Sequence, residues 1–230
     1  PASGNWSTLA GPSGAAGNLD SANKALALFN YPRGLTLDST GSLYIADTGG
    51  HVIRRITSAG SLVTIAGSAG YSGALDGFTI AAGGTLATFN SPQGVAINST
   101  GTLYVADSSN HAIRMITAAG AVSTFAGTPG VSGALDGTGL AARFNMPSRL
   151  VIDASGTLYV SDTGNHIIRK ITAAGSVSTV AGSAGNPGIS DGFKSLARFN
   201  SPGGLALDAA GTLLYICLLY TSDAADDTPC

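Results

Sequence analysis

Hydrophobic residues in this chain come in short runs of roughly four to six residues, the length of a typical strand, broken by polar and glycine-bearing turns. When the chain is registered on Phe-Asn-x-Pro, the runs recur in one order. The motif occupies residues 29–32, 89–92, 144–147 and 199–202, at spacings of 60, 55 and 55. An apolar run then ends in Asp38, Asn98, Asp153 or Asp208, and glycine follows three residues later at Gly41, Gly101, Gly156 and Gly211. Next come Leu-Tyr-Ile/Val-Ala/Ser-Asp at 43–47, 103–107 and 158–162 and a polar turn to His51, His111 or His166. Ile-Arg-x-Ile-Thr follows, then a turn at Gly60, Gly120 or Gly175 and a last run closing on Gly67, Gly127 or Gly182.

Each period therefore predicts four strands, a to d. Asp or Asn at the first position and Gly at the fourth suit a type I turn between a and b. The connections within a period are too short for a parallel crossover, so the strands form an antiparallel meander. Four strands repeated every 50–60 residues make a propeller blade. The expected fold is all-β, a partial β-propeller of four-stranded antiparallel blades. Phe29, Phe89, Phe144 and Phe199 are expected to plug the joints between blades, with the following proline opening strand a.

Leu-Tyr-Val-Ala-Asp-x-x-Asn-His-x-Ile-Arg, preceded by Pro-x-Gly-Leu-Ala-Leu-Asp, resembles the NHL repeat. Asn110-His111 and Asn165-His166 match its first two letters, Gly50-His51 departs at the Asn, and the third letter is Val52, Ala112 or Ile167. The long period, with Gly-x-x-Gly-x-x-Asp-Gly between blades, resembles NHL proteins of bacterial origin. The resemblance covers residues 6–216 and implies six blades in the parent ring, so three full and two partial blades are expected here. Residues 6–11 match the last strand of a repeat, and the fourth copy stops after two strands near Ile216. The propeller is expected over 1–216. Residues 217–230 break the pattern and resemble one reading frame of a transposon-end adapter used in sequencing libraries; the alternative is a divergent native tail.

Composition narrows the function. Hydrophobic residues make up 44% of the 230 and charged residues 10%, with 33 Gly, 13 Asp, no Glu and three Lys. A net charge of −2 leaves no basic footprint for nucleic acid or an anionic membrane, and no apolar run approaches the ~18 residues of a membrane span. Scarce Lys, absent Glu and a Ser/Thr/Gly/Ala-rich surface point to an extracytoplasmic or secreted protein whose signal region is not in this sequence. Cys217 and Cys230 both lie in the tail, so no disulfide framework or Cys-based metal site is expected.

Three histidines could form a zinc site, but His51, His111 and His166 hold one position in successive blades. Equivalent positions in a ring stand too far apart to share one ion with nitrogens about 2.0–2.1 Å away. They are read as a repeated structural hydrogen bond at the b–c turn. Asp47, Asp107 and Asp162 with Arg54, Arg114 and Arg169 read as a repeated ion pair or turn cap. Asp76, Asp136 and Asp191, in the long connections, read as turn residues. No catalytic residue, metal or cofactor is assigned, since catalysis needs a unique constellation and not three equal copies.

In a meander blade the b–c turns and the d-to-a connections, 68–88, 128–143 and 183–198, fall on one face. Loops on a rigid scaffold commonly bind, so this face, with Asp47, His51, Asp107, Asn110, His111, Asp162, Asn165 and His166, is the candidate site. The expected function is a non-catalytic binding or scaffold module for a protein or glycan ligand. The alternative is part of a lactonase-like hydrolase or a lyase whose catalytic residues lie in blades outside this sequence.

Overall fold

A computed structural model describes residues 7–12, 14–78 and 86–218. Blade 1 is the sheet β1 (Pro32–Leu37), β2 (Leu43–Asp47), β3 (Val52–Ile56) and β4 (Leu62–Gly67), paired antiparallel in sequence order. Blade 2 repeats it with β6 (Pro92–Ile97), β7 (Leu103–Asp107), β8 (Ala112–Ile116) and β9 (Ala121–Ala126), preceded by the two-residue β5 (Gly77–Phe78). Blade 3 has β11 (Pro147–Ile152), β12 (Leu158–Asp162), β13 (Ile167–Ile171) and β14 (Ser176–Gly182), preceded by β10 (Gly137–Thr138). A fourth sheet pairs β15 (Pro202–Leu207) with β16 (Leu214–Leu218). The first strands β1, β6, β11 and β15 lie side by side and form the inner layer of a fan.

The a–b turns form as the sequence requires. Asp38 Oδ1 accepts from the Thr40 and Ser42 backbone N–H groups, and Asn98 and Asp153 repeat the pattern. Gly41, Gly101 and Gly156 each sit at φ +82°, where an L side chain would be strained.

The core lies between blades. Tyr44, Ala46, Ile53 and Ala66 of blade 1 pack on Phe89, Val95, Leu103, Val105, Ile116 and Val122 of blade 2. The opposite face of blade 2, with Tyr104, Ala106, Ile113 and Ala126, packs on Phe144, Leu150, Leu158, Val160 and Ile171 of blade 3. Strand alternation thus supplies two apolar faces per blade, one for each neighbour. Phe89 and Phe144 are fully buried, and each contributes about 1.5–3 kcal/mol by leaving water. Phe29 and Phe199 are half-buried.

Inner strands meet backbone to backbone. A Cβ on Gly34 would sit 2.5 Å from the Gln93 carbonyl oxygen, and one on Gly94 would sit 2.6 Å from that of Ser148. Glycine at this position lets neighbouring blades close on one another.

Both chain ends differ in detail from the repeat. Residues 7–12 are not a strand; the Gly11 N–H donates to the Lys24 carbonyl and the segment packs beside Phe29. Strand β16 runs two residues into the divergent tail, with Cys217 and Leu218 opposite Gly204 and Pro202, where the full blades have Ala or Ser and then Asp. Residues 219–230, including Cys230, lie outside the described residues, as does Trp6.

Candidate binding face

The repeated polar residues converge on one arginine per blade. Arg54, Arg114 and Arg169 in the c strands are fully buried. Their Nη1 atoms donate to Asp47, Asp107 and Asp162 at 3.0, 2.9 and 3.0 Å, and to the carbonyls of Leu28, Thr88 and Arg143. Their Nη2 atoms donate to Asp20, Asp76 and Asp136 at 2.6, 2.7 and 2.8 Å, and to the carbonyls of Leu19, Leu75 and Leu135. Each guanidinium also stands over Phe29, Phe89 or Phe144, 4.9–5.3 Å from the ring centroid. One planar fork therefore ties together the ends of strands b and a, the body of strand c and the incoming connection, geometry that Lys cannot reproduce.

This corrects two sequence expectations. Asp76 and Asp136 are ion-pair partners of Arg114 and Arg169, not merely turn residues. Asp136 also accepts from the backbone and side chain of Thr179 on β14, and Asp76 from the Thr124 hydroxyl on β9. Asp191, in the next connection, has no such arginine among the described residues. Second, Asp47, Asp107 and Asp162 are not presented on the surface of the face. They are fully buried and occupied by the arginine and by the backbone N–H of Asn30, Asn90 or Asn145. Burial raises all three carboxyls, pushing Asp107 and Asp162 up to about 6 against the pull of those donors.

Asn110 and Asn165 are committed too. Each Nδ2 donates to the buried aspartate, at 2.7 and 2.8 Å, and to the carbonyl of Gly73 or Gly133 in the connection. In blade 1 the equivalent residue is Gly50, and the side chain of Asn18, from the connection, fills the space.

The histidines bond between blades, not within a turn. His51, His111 and His166 sit at φ 58°, 56° and 60°. Their Nδ1 atoms accept from the N–H of Ser91, Met146 and Ser201 in the next repeat, at 3.0, 3.1 and 3.0 Å. An accepting Nδ1 places the proton on Nε2. Thr48, Ser108 and Thr163 reinforce each joint by donating to the carbonyls of Pro92, Pro147 and Pro202. Each histidine thus serves a separate joint, and among the described residues no group of three His, Cys, Asp or Glu is placed to hold a metal.

The long connections also take an unexpected path. They start on the b–c face, where Gly70, Gly130 and Gly185 donate to Gly50, Asn110 and Asn165. They then run down the outer edge of the next blade, as β5 pairs with β9 and β10 with β14. Gly139 reaches the carbonyl of Gly175 in the c–d turn, on the opposite face. Among the described residues, the 68–88 and 128–143 connections thus belong to the b–c face only in their first part. The reason is the open outer edge of strand d, whose unpaired backbone groups recruit the passing chain.

What this face exposes is different from what recurs. The residue before each strand-a proline has the same left-handed backbone, φ 52°, 51°, 49° and 49°, but is Tyr31, Ser91, Met146 or Ser201. Tyr31 is 77% exposed, Tyr71 71% and Ile189 68%, and Met146 is also exposed.

The family model for the NHL repeat matches residues 29–56, 89–114 and 144–171, each spanning strands a to c of one blade. The chain belongs to the NHL-repeat β-propeller family. Among curated NHL-containing relatives, NHL repeat-containing protein 2 of Bos taurus is 32% identical over 143 residues, covering 56% of this chain and 20% of its own length. Protein SUPPRESSOR OF QUENCHING 1, chloroplastic, of Arabidopsis thaliana is 33% identical over 159 residues, covering 67% of this chain and 15% of its own. This chain thus spans a fifth or less of these relatives. Among solved structures, an auxiliary nutrient binding protein from Bacteroides thetaiotaomicron superposes with a TM-score of 0.61 at 22% identity, over 80% of this chain and 44% of that one. A nidogen/laminin complex chain gives 0.56 at 19%, over 82% and 57%. These likenesses establish the propeller fold.

Proposed function

We propose that this NHL propeller is a non-catalytic binding module that takes a protein or other ligand on the face bearing the b–c turns and the start of each connection. The observation that carries the reading is the division of labour on that face. Asp, Asn, His and Arg repeat and are consumed by the frame. Tyr31, Tyr71 and Met146 stand exposed on backbone that the frame holds fixed, and Ile189 is exposed in the last connection. Exposed aromatic and apolar side chains on a rigid support are the usual anchors of an interface. The likeness to an auxiliary nutrient binding protein and to a nidogen/laminin complex chain supports a binding role. We place the module outside the cytoplasm, in keeping with its scarce Lys and absent Glu, and read residues 1–216 as part of a larger ring.

The test uses Tyr71→Ser with Met146→Ser, which leaves every frame contact side chain in place. Wild type and variant, both immobilised, are compared on a glycan array and for capture from a panel of purified extracellular-matrix proteins. Capture lost in the variant with an unchanged melting curve supports the reading. Identical capture sinks it, as does turnover of lactone substrates by the wild-type chain.

A further inference from the structure

Each inner strand carries an irregularity at the same place. The pairing of strand a with strand b slips at the second residue: between Pro32 and Gly34, Pro92 and Gly94, Pro147 and Arg149, and Pro202 and Gly204. A bulge leaves one residue out of the ladder and re-aims its side chain. The bulged residues are Arg33, Gln93, Ser148 and Gly203, the least uniform position of an otherwise repetitive strand. They lie at the end of the inner strands on the b–c face.

The next position is glycine in three of the four inner strands, Gly34, Gly94 and Gly204, but arginine at 149. The Arg149 side chain turns back across the neighbouring strand, and Nη1 donates to the carbonyls of Gln93 at 2.6 Å and Ser148 at 3.3 Å. It is half-buried and meets no carboxylate: the six ion pairs among the described residues all belong to Arg54, Arg114 and Arg169. No inner strand contains an acidic residue. The Gln93 carbonyl that receives Nη1 also abuts Gly34, the neighbour of Arg33, and burial, then the like charge of Arg33, hold Arg149 below its ordinary value with no carboxylate paired to it among the described residues.

We propose that this end of the inner strands binds an oxyanion of a small ligand, a carboxylate or phosphate group, between Arg149 and Arg33 with Gln93 beside them. A planar guanidinium fork matches either group in a bidentate contact, and the anion supplies the counter-charge that Arg149 lacks among the described residues. The partner-binding reading is not needed for this: an ion at the inner strands and a macromolecule on the exposed aromatics are lost through different side chains.

Calorimetry on the whole chain with citrate and with inorganic phosphate tests it. Two variants copy residues that other blades already accommodate, Arg149→Gly and Arg33→Gln. Saturable binding that weakens with added NaCl is expected, and each variant should weaken it about tenfold or more, the cost of a charge-assisted contact. Citrate binding alone assigns a carboxylate ligand, phosphate binding alone a phosphorylated one. Amide NMR shifts in the wild-type chain give a second measure independent of the variants, and should centre on residues 32–34, 92–94 and 147–150. Absence of saturable binding of either anion, equal binding by folded variants, or shifts centred elsewhere overturns the proposal.

Discussion

The histidine shows how a residue that looks catalytic becomes a joint. His111 accepts from the Met146 N–H only while Nδ1 is unprotonated, and burial lowers its pKa from the ordinary value. A group with a lowered folded pKa releases protons on folding, so its contribution is present above the unfolded value of 6.5 and is lost as pH falls. Asp107 and Asp162 act in the opposite sense. Their folded pKa values of about 6 lie above the unfolded 3.8, so what they contribute is present at low pH and is lost as pH rises through 6. The histidine effect is therefore read as a difference between two proteins. His111→Asn keeps a side chain that tolerates left-handed backbone but does not titrate. Urea midpoints from pH 8 to pH 5 should fall further in wild type than in this variant. Parallel curves would show that the bond contributes nothing.

At the scale of the element, the connection between blades is the part that pattern reading placed least well. Its glycines and aspartates look like turn chemistry, and Gly70, Gly130 and Gly185 do adopt positive φ. Yet Asp76 and Asp136 reach arginines 38 and 33 residues away, a pairing that spacing alone does not reveal. The exchange of Asn18 and Gly50 has the same character. Blades 2 and 3 pair Ala74 with Asn110 and Ala134 with Asn165, whereas blade 1 pairs Asn18 with Gly50. A Cβ on Gly50 would collide with Asn18 Oδ1, which is buried without a hydrogen-bond partner. Gly50→Asn alone should destabilise blade 1, and Asn18→Ala with Gly50→Asn should recover the loss by rebuilding the arrangement of the other blades. Denaturant titration of the four proteins should give a coupling energy of roughly 1 kcal/mol or more; additive effects would mean that the two residues do not share the space.

At the scale of the whole molecule, stability is the packing of one blade on the next. Leu35 is 61% exposed, whereas its equivalents Val95 and Leu150 are 4% and 5% exposed. Leu37 is equally open, and Leu213 and Tyr215 are exposed on the fourth sheet. Surfaces that bury a neighbour elsewhere in the ring are here in water, and complementary ones on two copies can meet head to tail. Sedimentation velocity should show concentration-dependent association of this chain, reduced by Leu35→Lys with Leu37→Lys. A monodisperse monomer across the concentration range would contradict it.

The sequence by itself determined the strands, their order, the a–b turns and the pairing of each apolar face with a neighbour, because these follow from a two-residue period, glycine-bearing turns and a repeat that each blade must satisfy alike. It also marked Asp47, Arg54, His51 and their equivalents as parts of a frame. Which strand, connection or neighbouring blade each of them holds was decided only in the folded fan. So were the outward course of the connections and the seating of Arg149 on the Gln93 carbonyl. Those contacts join residues tens of positions apart, and their geometry exists only once unpaired outer edges and bulged inner strands have been brought side by side.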